Sequence, residues 1–459
     1  MKLAITLAVA ALLLAPRASL AQTMKSCPDF GKDVHVALDC VEGIFSETPL
    51  HLTLSGVPPG NGLPIGLLYD KADEHVGAYR SRTETTLAFV GSTNGSLTAT
   101  GSFNWFPPLH YSDAFRDGVA CHQLGWLCTQ SVFSLDVYGT YRSIQSLSFY
   151  GLGSVSPATE YLFKEREGYG GVMLRMPLTD WLRVDGGVED RKPFLPSSAA
   201  PESVSVNFSE ATAPGLTSQP NFLHSSVMFR TSALAIAERA TNPLAAGVDP
   251  ATQPLMKPRV RFQFQNSAGY HWYRDLDSGR YSFQQFVFEG DESIAFGSVI
   301  QRFAPKGTSW VVDHLCDGPR VTQTCSFGTL DVKSLVQLSN TTSGHVVPFY
   351  FQPTLGGADI ESRTSLRGFD NYRFRDNNAA VVQIELTRTF KKLDPLGIFV
   401  FYDAGVVGPT ASEMWSSRLR QDAGPGLTIR LQGKVVMQFY AAAGAGHGLK
   451  FGYNFEKLF

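Results

Sequence analysis

The sequence predicts an all-β fold, and within that class an antiparallel β-barrel that crosses a membrane with its strands. Three observations predict it: an export signal at the N-terminus, period-two alternation through most of the chain, and a last segment whose aromatics fall on one face. "MKLAITLAVAALLLAPRASLAQ" holds Lys2, an apolar run from Leu3 to Ala15, and small residues at Ser19 and Ala21. The run is too short to span a bilayer, and Ser19 with Ala21 suits peptidase cleavage before Gln22, so residues 1–21 read as a signal peptide. No cysteine follows the cut, which argues against a lipoprotein anchor.

The chain has 459 residues, a net charge of −2 and 17% charged residues, so no global field points to nucleic acid. Aromatics reach 12% and glycines number 43, yet no later segment offers the roughly 18 uninterrupted apolar residues of a membrane helix. That combination fits a secreted all-β protein or a membrane barrel, whose lipid-facing and lumen-facing residues average to neutral hydropathy.

Six cysteines fall into near neighbours: Cys27 with Cys40, Cys121 with Cys128, and Cys316 with Cys325. An even number, short spacing and an export signal predict three local disulfides, with locality selecting among fifteen connectivities. Each would pin a loop rather than join distant parts. A zinc site is the alternative, but neither CxxC nor HExxH spacing is present.

Residues 22–48 read as a short N-terminal segment, and 49–459 as the barrel. Strand candidates begin with "PLHLTLSGV" and continue through "TETTLAFVGS", "GSLTATGSFNWF" and "VFSLDVYGTYRS", broken by Gly, Pro, Asn and Ser. Residues 195–257, rich in Pro, Ser, Ala and Thr, read as long loops around one central strand pair, of the kind found on the outer face of membrane barrels. Next, "RVRFQFQ" sets Val260, Phe262 and Phe264 against Arg261, Gln263 and Gln265. A soluble sandwich gives the same alternation, its faces then meaning core and solvent.

The last strand separates the two classes. "FGYNFEKLF" places Phe451, Tyr453, Phe455 and Phe459 on one face, interrupted only by Lys457. On a soluble edge strand that face would invite aggregation; on a barrel it meets lipid and the interfacial aromatic belt.

Three stretches carry the candidate site. "TLGGADIESRTSLRGFDNYRFRDNN" is a basic, turn-rich loop with Arg367, Gly368 and Phe369 in "SLRGF"; "VVQIELTRTF" puts Glu385 mid-strand; "FVFYDAGVV" contains Phe401, Asp403 and Gly405 as F-x-D-x-G. Phe399, Phe401 and Asp403 share one strand face, as do Val381, Gln383 and Glu385. A carboxylate in an otherwise apolar strand is costly toward lipid, so both carboxylates should turn inward.

This set resembles the bacterial surface antigen superfamily, the BamA-type assembly factors and two-partner secretion pores of the outer membrane. The resemblance is strong from about Val346 to Phe459 and looser from about Ser225 to Phe303. It implies a sixteen-stranded barrel with a long extracellular loop folded back into the lumen, where Arg367 pairs with Asp403 and Glu385. It also implies that the C-terminal aromatics serve as an assembly signal. A guanidinium holds a carboxylate through a planar fork, so one arginine can dock a loop in one register. Gly368 should let the loop turn tightly, and Phe369 should pack the tip against the wall. Arg363, Arg373 and Arg375 have no assigned partners and read as exposed, meeting solvent or lipopolysaccharide phosphates.

BamA-like members carry periplasmic POTRA modules ahead of the barrel, and residues 22–48 are far shorter than one. The expectation is therefore a member lacking POTRA domains, working in insertion or translocation of polypeptides, with lipid and a separate periplasmic POTRA-containing or client protein as partners. The alternative is a plugged passive pore or structural surface antigen. An enzyme is not expected: no GxSxG is present, Asp313 and His314 are strand neighbours that point apart, and "DLDSG" at Asp275–Gly279 lacks a later calcium ligand. No cofactor is implied.

Overall fold

The structure, a computed structural model, describes residues 49–53, 55–75, 81–107, 133–179, 181–236, 261–296, 316–317, 324–325, 328–389, 396–431, 434–444 and 448–455. The expected signal peptide at residues 1–21, the segment 22–48, Cys27, Cys40, Cys121, Cys128 and Phe459 lie outside the described residues.

The strands in the first half are β1 (Leu50–Thr53), β2 (Pro64–His75), β3 (Ser81–Ser92), β4 (Leu97–Phe106), β5 (Ser134–Phe149), β6 (Tyr161–Pro177) and β7 (Leu182–Phe194). Next come β8 (Phe222–Ile236), β9 (Arg261–Asp275), β10 (Phe283–Phe296), β11 (Cys316–Asp317), β12 (Thr324–Cys325) and β13 (Gly328–Asn340). The remainder are β14 (Thr354–Leu355), β15 (Phe374–Arg375), β16 (Asn378–Thr389), β17 (Leu396–Gly408), β18 (Arg420–Leu431), β19 (Lys434–Gly444) and β20 (Gly448–Phe455). Two single-turn helices, α1 (Val204–Asn207) and α2 (Ala411–Ser416), lie in connections.

Sixteen strands form one sheet, β1 to β10, then β13 and β16 to β20, each pairing with its chain neighbour. Every pairing is antiparallel, as expected for strands joined end to end by hairpins. The turns show why the chain reverses where it does. Between β3 and β4, Gly95 takes φ +85° and Asn94 accepts from the Ser92 hydroxyl. Between β9 and β10, the Asp275 carboxylate collects the backbone N–H groups of Asp277, Ser278 and Tyr281, so "DLDSG" is a hairpin turn.

Residues 195–257 depart from the sequence reading. Their centre is one strand, β8, paired to β7 and β9, so the connections on its two sides leave from opposite ends of the sheet. The stretch 195–221 is folded rather than open. Leu195, Val204 and Ala213 pack with Ile144, Leu147 and Phe149 of β5, Phe163 of β6, and Phe349, Tyr350 and Tyr372. Its prolines and serines hid this, because the apolar residues that anchor it are isolated and follow no period.

The faces of the sheet are inverted relative to a soluble protein. In β17, Ile398, Val400 and Tyr402 are exposed while Phe399, Phe401 and Asp403 are buried. Exposed apolar side chains recur on β3, β4, β7, β8 and β10, among them Phe89, Phe103, Val188, Phe229 and Phe286.

The sheet is strongly curled. Segment 354–376 bonds β5 through Glu361 and β20 through Phe369 and Asp370. β5 and β20 stand fifth and sixteenth in the sheet. Eleven steps of ~4.8 Å would separate them by about 50 Å if the sheet were flat, and Arg420 of β18, nine steps from β5, donates to the carbonyl of Ser154, only about 17 Å of extended chain beyond the end of β5. The strands must therefore wrap round the segment.

Candidate functional site

The site is built on segment 354–376. Its arms pair as β14 and β15, with Thr354 opposite Arg375 and Leu355 opposite Phe374. Beyond them the chain folds a second small hairpin, with Gly357 N–H to Leu366 O at 2.8 Å and Asp359 N–H to Arg363 O at 2.9 Å. The Gly-Gly turn has a steric cause. Gly356 and Gly357 sit at φ +104° and +54°, and a Cβ on either would strike Arg373 or Asn371.

Arg367 projects from this hairpin onto the inner face of β16 and β17. Its Nε and one terminal nitrogen each donate to Asp403 at 2.8 Å, and the other donates to Glu385 Oε2 at 2.6 Å. The Arg367 backbone N–H also donates to Asp403, at 3.2 Å. Below the guanidinium lies the Phe401 ring, 3.7 Å from centroid to Cζ. Register explains the convergence: Gln383 is opposite Asp403 and Glu385 is opposite Phe401, so all four side chains rise from two adjacent rungs. Burial alone would lower the Arg367 pKa; the Asp403 hydrogen bond and the charges of Asp403 and Glu385 outweigh it and raise it. The carboxylates are held in turn. Gln383 donates to Asp403 and to Ser365 O, and Gln438 and Thr387 donate to Glu385.

Gly368 acts differently from its sequence reading. It does not occupy the left-handed region; a Cβ there would lie 2.7 Å from Asp422 Cβ and 3.0 Å from Gly444 N. The glycine permits close approach to β18 and β19 rather than a tight turn. Phe369 is buried edge-on to Phe374 at 5.2 Å, in a cluster with Leu355, Leu366, Val381 and Val407. Gly405 leaves room for Leu355, whose Cδ1 a Cβ would meet at 2.8 Å.

Arg373 and Arg375 correct the sequence reading, whereas Arg363 stays exposed but has partners. Arg363 bonds Asp359 at 2.9 Å and Glu289 of β10 at 2.7 Å. Arg373 is buried and donates to the Ser156 hydroxyl and carbonyl at 2.7 and 3.0 Å. Arg375 is buried among Phe149, Phe163 and Phe349, donating to Phe349 O. Burial pushes its guanidinium down to about 10, against the charge of Glu165. The partners of Arg373 and Arg375 are backbone carbonyls and one serine hydroxyl, which no motif announces.

A second charged cluster went unread in the sequence. Arg142 of β5 bonds Glu167 at 2.6 Å, Glu165 at 3.3 Å and Glu361 of the segment at 3.1 Å. Arg191 of β7 bonds Glu189 at 3.0 Å and Glu167 at 3.4 Å. A signal existed, since Glu165 and Glu167, like Glu189 and Arg191, share one face at two-residue spacing. Lys450 of β20 completes the ties, reaching Phe369 O and, at 3.0 Å, Asp370.

Among the other singled-out residues, Phe451 and Tyr453 face outward on β20, 75% and 66% exposed, and Phe455 ends that strand. β11 and β12 place Cys316 opposite Cys325. Among the described residues no group of three or more His, Cys, Asp or Glu could hold a metal.

No family model matches the chain, and no curated protein does. Solved structures do. BamA from Haemophilus ducreyi lacking POTRA domains 1–3 superposes with TM-score 0.49 and 13% identity, over 92% of this chain and 77% of that one. CdiB from Escherichia coli matches at TM-score 0.43 and 11% identity over 89% of this chain, and CdiB from Acinetobacter baumannii at 0.42 and 10% over 86%. The chain spans 62% and 57% of those two proteins. Identities this low transfer no residue's role.

Proposed function

We propose that this chain is an outer-membrane β-barrel, its sheet closing between β1 and β20, with segment 354–376 as an inward plug in a protein that inserts or translocates polypeptides. The observation that carries the membrane reading is the inversion of the sheet. Apolar side chains are exposed outward while Asp136, Arg142, Glu165, Glu167, Glu189, Arg367 and Asp403 are buried inward. Water would reverse that distribution; lipid outside and a polar lumen inside favour it. The transport reading is supported by the motifs: "SLRGF" and F-x-D-x-G resemble those of the surface antigen superfamily, and Arg367 meets Asp403 and Glu385. On this reading the partners are outer-membrane lipid and a periplasmic client or POTRA-bearing protein, and the β20 aromatics form the assembly signal.

The test places the refolded chain in liposomes and times the folding of an unrelated unfolded barrel protein, with Arg367→Ala alongside. Acceleration by the wild type that the variant loses is expected. No acceleration by the wild type, with ion conductance that rises in the variant, sinks the transport reading. That second outcome is a plugged passive pore, which the number of ties favours: the plug is bonded to β5, β10, β16, β17 and β20 rather than at its tip alone.

A further inference from the structure

One cleft lies away from the plug, on the outward side of the sheet. α2 folds back over that wall: Met414 is buried against Ala380 and Val406, with Val336 and Leu338 beside them. These positions alternate with Val381 and Val407, which pack on the plug, so α2 sits outside. The turn entering α2 is held by Asn377 and Asn378, which donate to the carbonyls of Gly408 and Pro409. Between this turn and strands β9, β10 and β13 is a cleft of about 470 Å³.

The lining has a definite chemistry. None of its side chains is charged. Tyr270 and Phe286 give it a flat apolar floor, and Gln284, Asn340, Thr341 and Thr410 give it amides and hydroxyls. Tyr270 donates to Gln284 Oε1 at 2.7 Å, which leaves the Gln284 Nε2 hydrogens without a partner among the described residues. Asn340 and Thr341 line the same space. Around it stand Trp272, edge-on to Tyr270 at 4.7 Å, and Trp415 of α2, 65% exposed. Such aromatics mark the level of a membrane–water interface.

We propose that this cleft binds the uncharged, hydroxyl-rich headgroup of an amphiphile lying along the outer wall, a neutral glycolipid by class. A phosphate or amine would need a counter-charge, and the lining holds none. A sugar ring offers hydroxyls to amides and a C–H face to an aromatic floor, and the volume suits a small ligand. The acyl chains would run down the exposed apolar wall from Phe286. The inference rests on the membrane-barrel reading.

The test uses the full chain in phosphatidylcholine nanodiscs doped with a neutral monoglucosyl diacylglycerol, with retained lipid weighed by native mass spectrometry after exchange into excess phosphatidylcholine. Two or so neutral hydrogen bonds predict about tenfold enrichment of the glycolipid over its bulk share. The double variant Gln284→Leu/Asn340→Leu, and separately the cleft-filling Thr341→Trp, should return it to that share. Heat-modifiable gel mobility verifies that each variant is folded. Wild-type retention at the bulk ratio, or enrichment unchanged in both folded variants, overturns the site. Displacement by free maltose overturns the lipid assignment in favour of a soluble saccharide. A wild type that never enters nanodiscs removes the barrel reading itself, an outcome separate from an inserted chain that shows no enrichment.

Discussion

Arg367 concentrates the site into one side chain. Asp403 is fully buried, and removing its arginine leaves a carboxylate with no counter-charge. Arg367→Ala should therefore cost about 3–5 kcal/mol, the usual penalty for breaking a buried pair from one side. Urea unfolding from liposomes measures it. Arg367→Lys keeps the charge but loses the fork, and should fall between wild type and alanine. Gly368→Ala tests close approach. The added methyl meets Asp422 and the β19 backbone, so the tip should lift, and limited proteolysis should cut within 354–376 where the wild type resists. Arg367, Asp403 and Glu385 were legible as a set through the resemblance of their motifs, and a fork with two carboxylates gives that pairing its physical sense. Arg373 and Arg375 were not, because backbone carbonyls leave no trace in a residue pattern.

At the scale of elements, the 195–221 stretch is fastened by Glu210. Its carboxylate accepts from the N–H groups of Gly215 and Thr217, the Thr217 hydroxyl and, at 2.7 Å, the Tyr281 hydroxyl. Burial would raise its pKa; the hydrogen bonds outweigh that and hold it below the ordinary value. A depressed carboxylate contributes stability above its unfolded pKa, about 4.3, and loses it as pH falls through the folded value. Hydrogen exchange in 209–217 should be slower in wild type than in Glu210→Gln at neutral pH, and the difference should vanish below that folded pKa. β11 and β12 carry a second expectation. Peptide mapping without reductant should find Cys316 joined to Cys325, which are register partners across two-residue strands. Strands such as β3, β4, β5 and β17 were readable because period two survives wherever the two faces meet different media. The fold of 195–221 was not, because scattered apolar anchors have no period.

For the whole molecule, the inverted sheet sets the sign of surface mutations. Val400 is exposed near the middle of β17, where a soluble protein would accept a charge at little cost. In lipid, Val400→Arg should cost about 2–4 kcal/mol, and equilibrium folding into liposomes reads it directly. An effect within about 0.5 kcal/mol, ordinary for a solvated surface, would mean that this face meets water. The plug bears on the same scale. The ties of segment 354–376 to β5, β10 and β20 join strands far apart in the sheet order, so the segment braces the curled sheet.

The sequence by itself determined the all-β class, the alternation of the strands and the inward turn of Asp403 and Glu385, while the pairing with Arg367 came from the resemblance of its motifs. The first three depend on local periodicity and residue type, which survive in one dimension. Only the tertiary structure decided which arginines are buried, that Gly368 serves close approach, that Arg142, Glu167 and Arg191 form a second cluster, and that the turn into α2 borders a cleft beside β9, β10 and β13. Each depends on which distant residues the curled sheet brings within a few ångströms of one another, and that proximity is a property of the whole path of the chain rather than of any stretch of it.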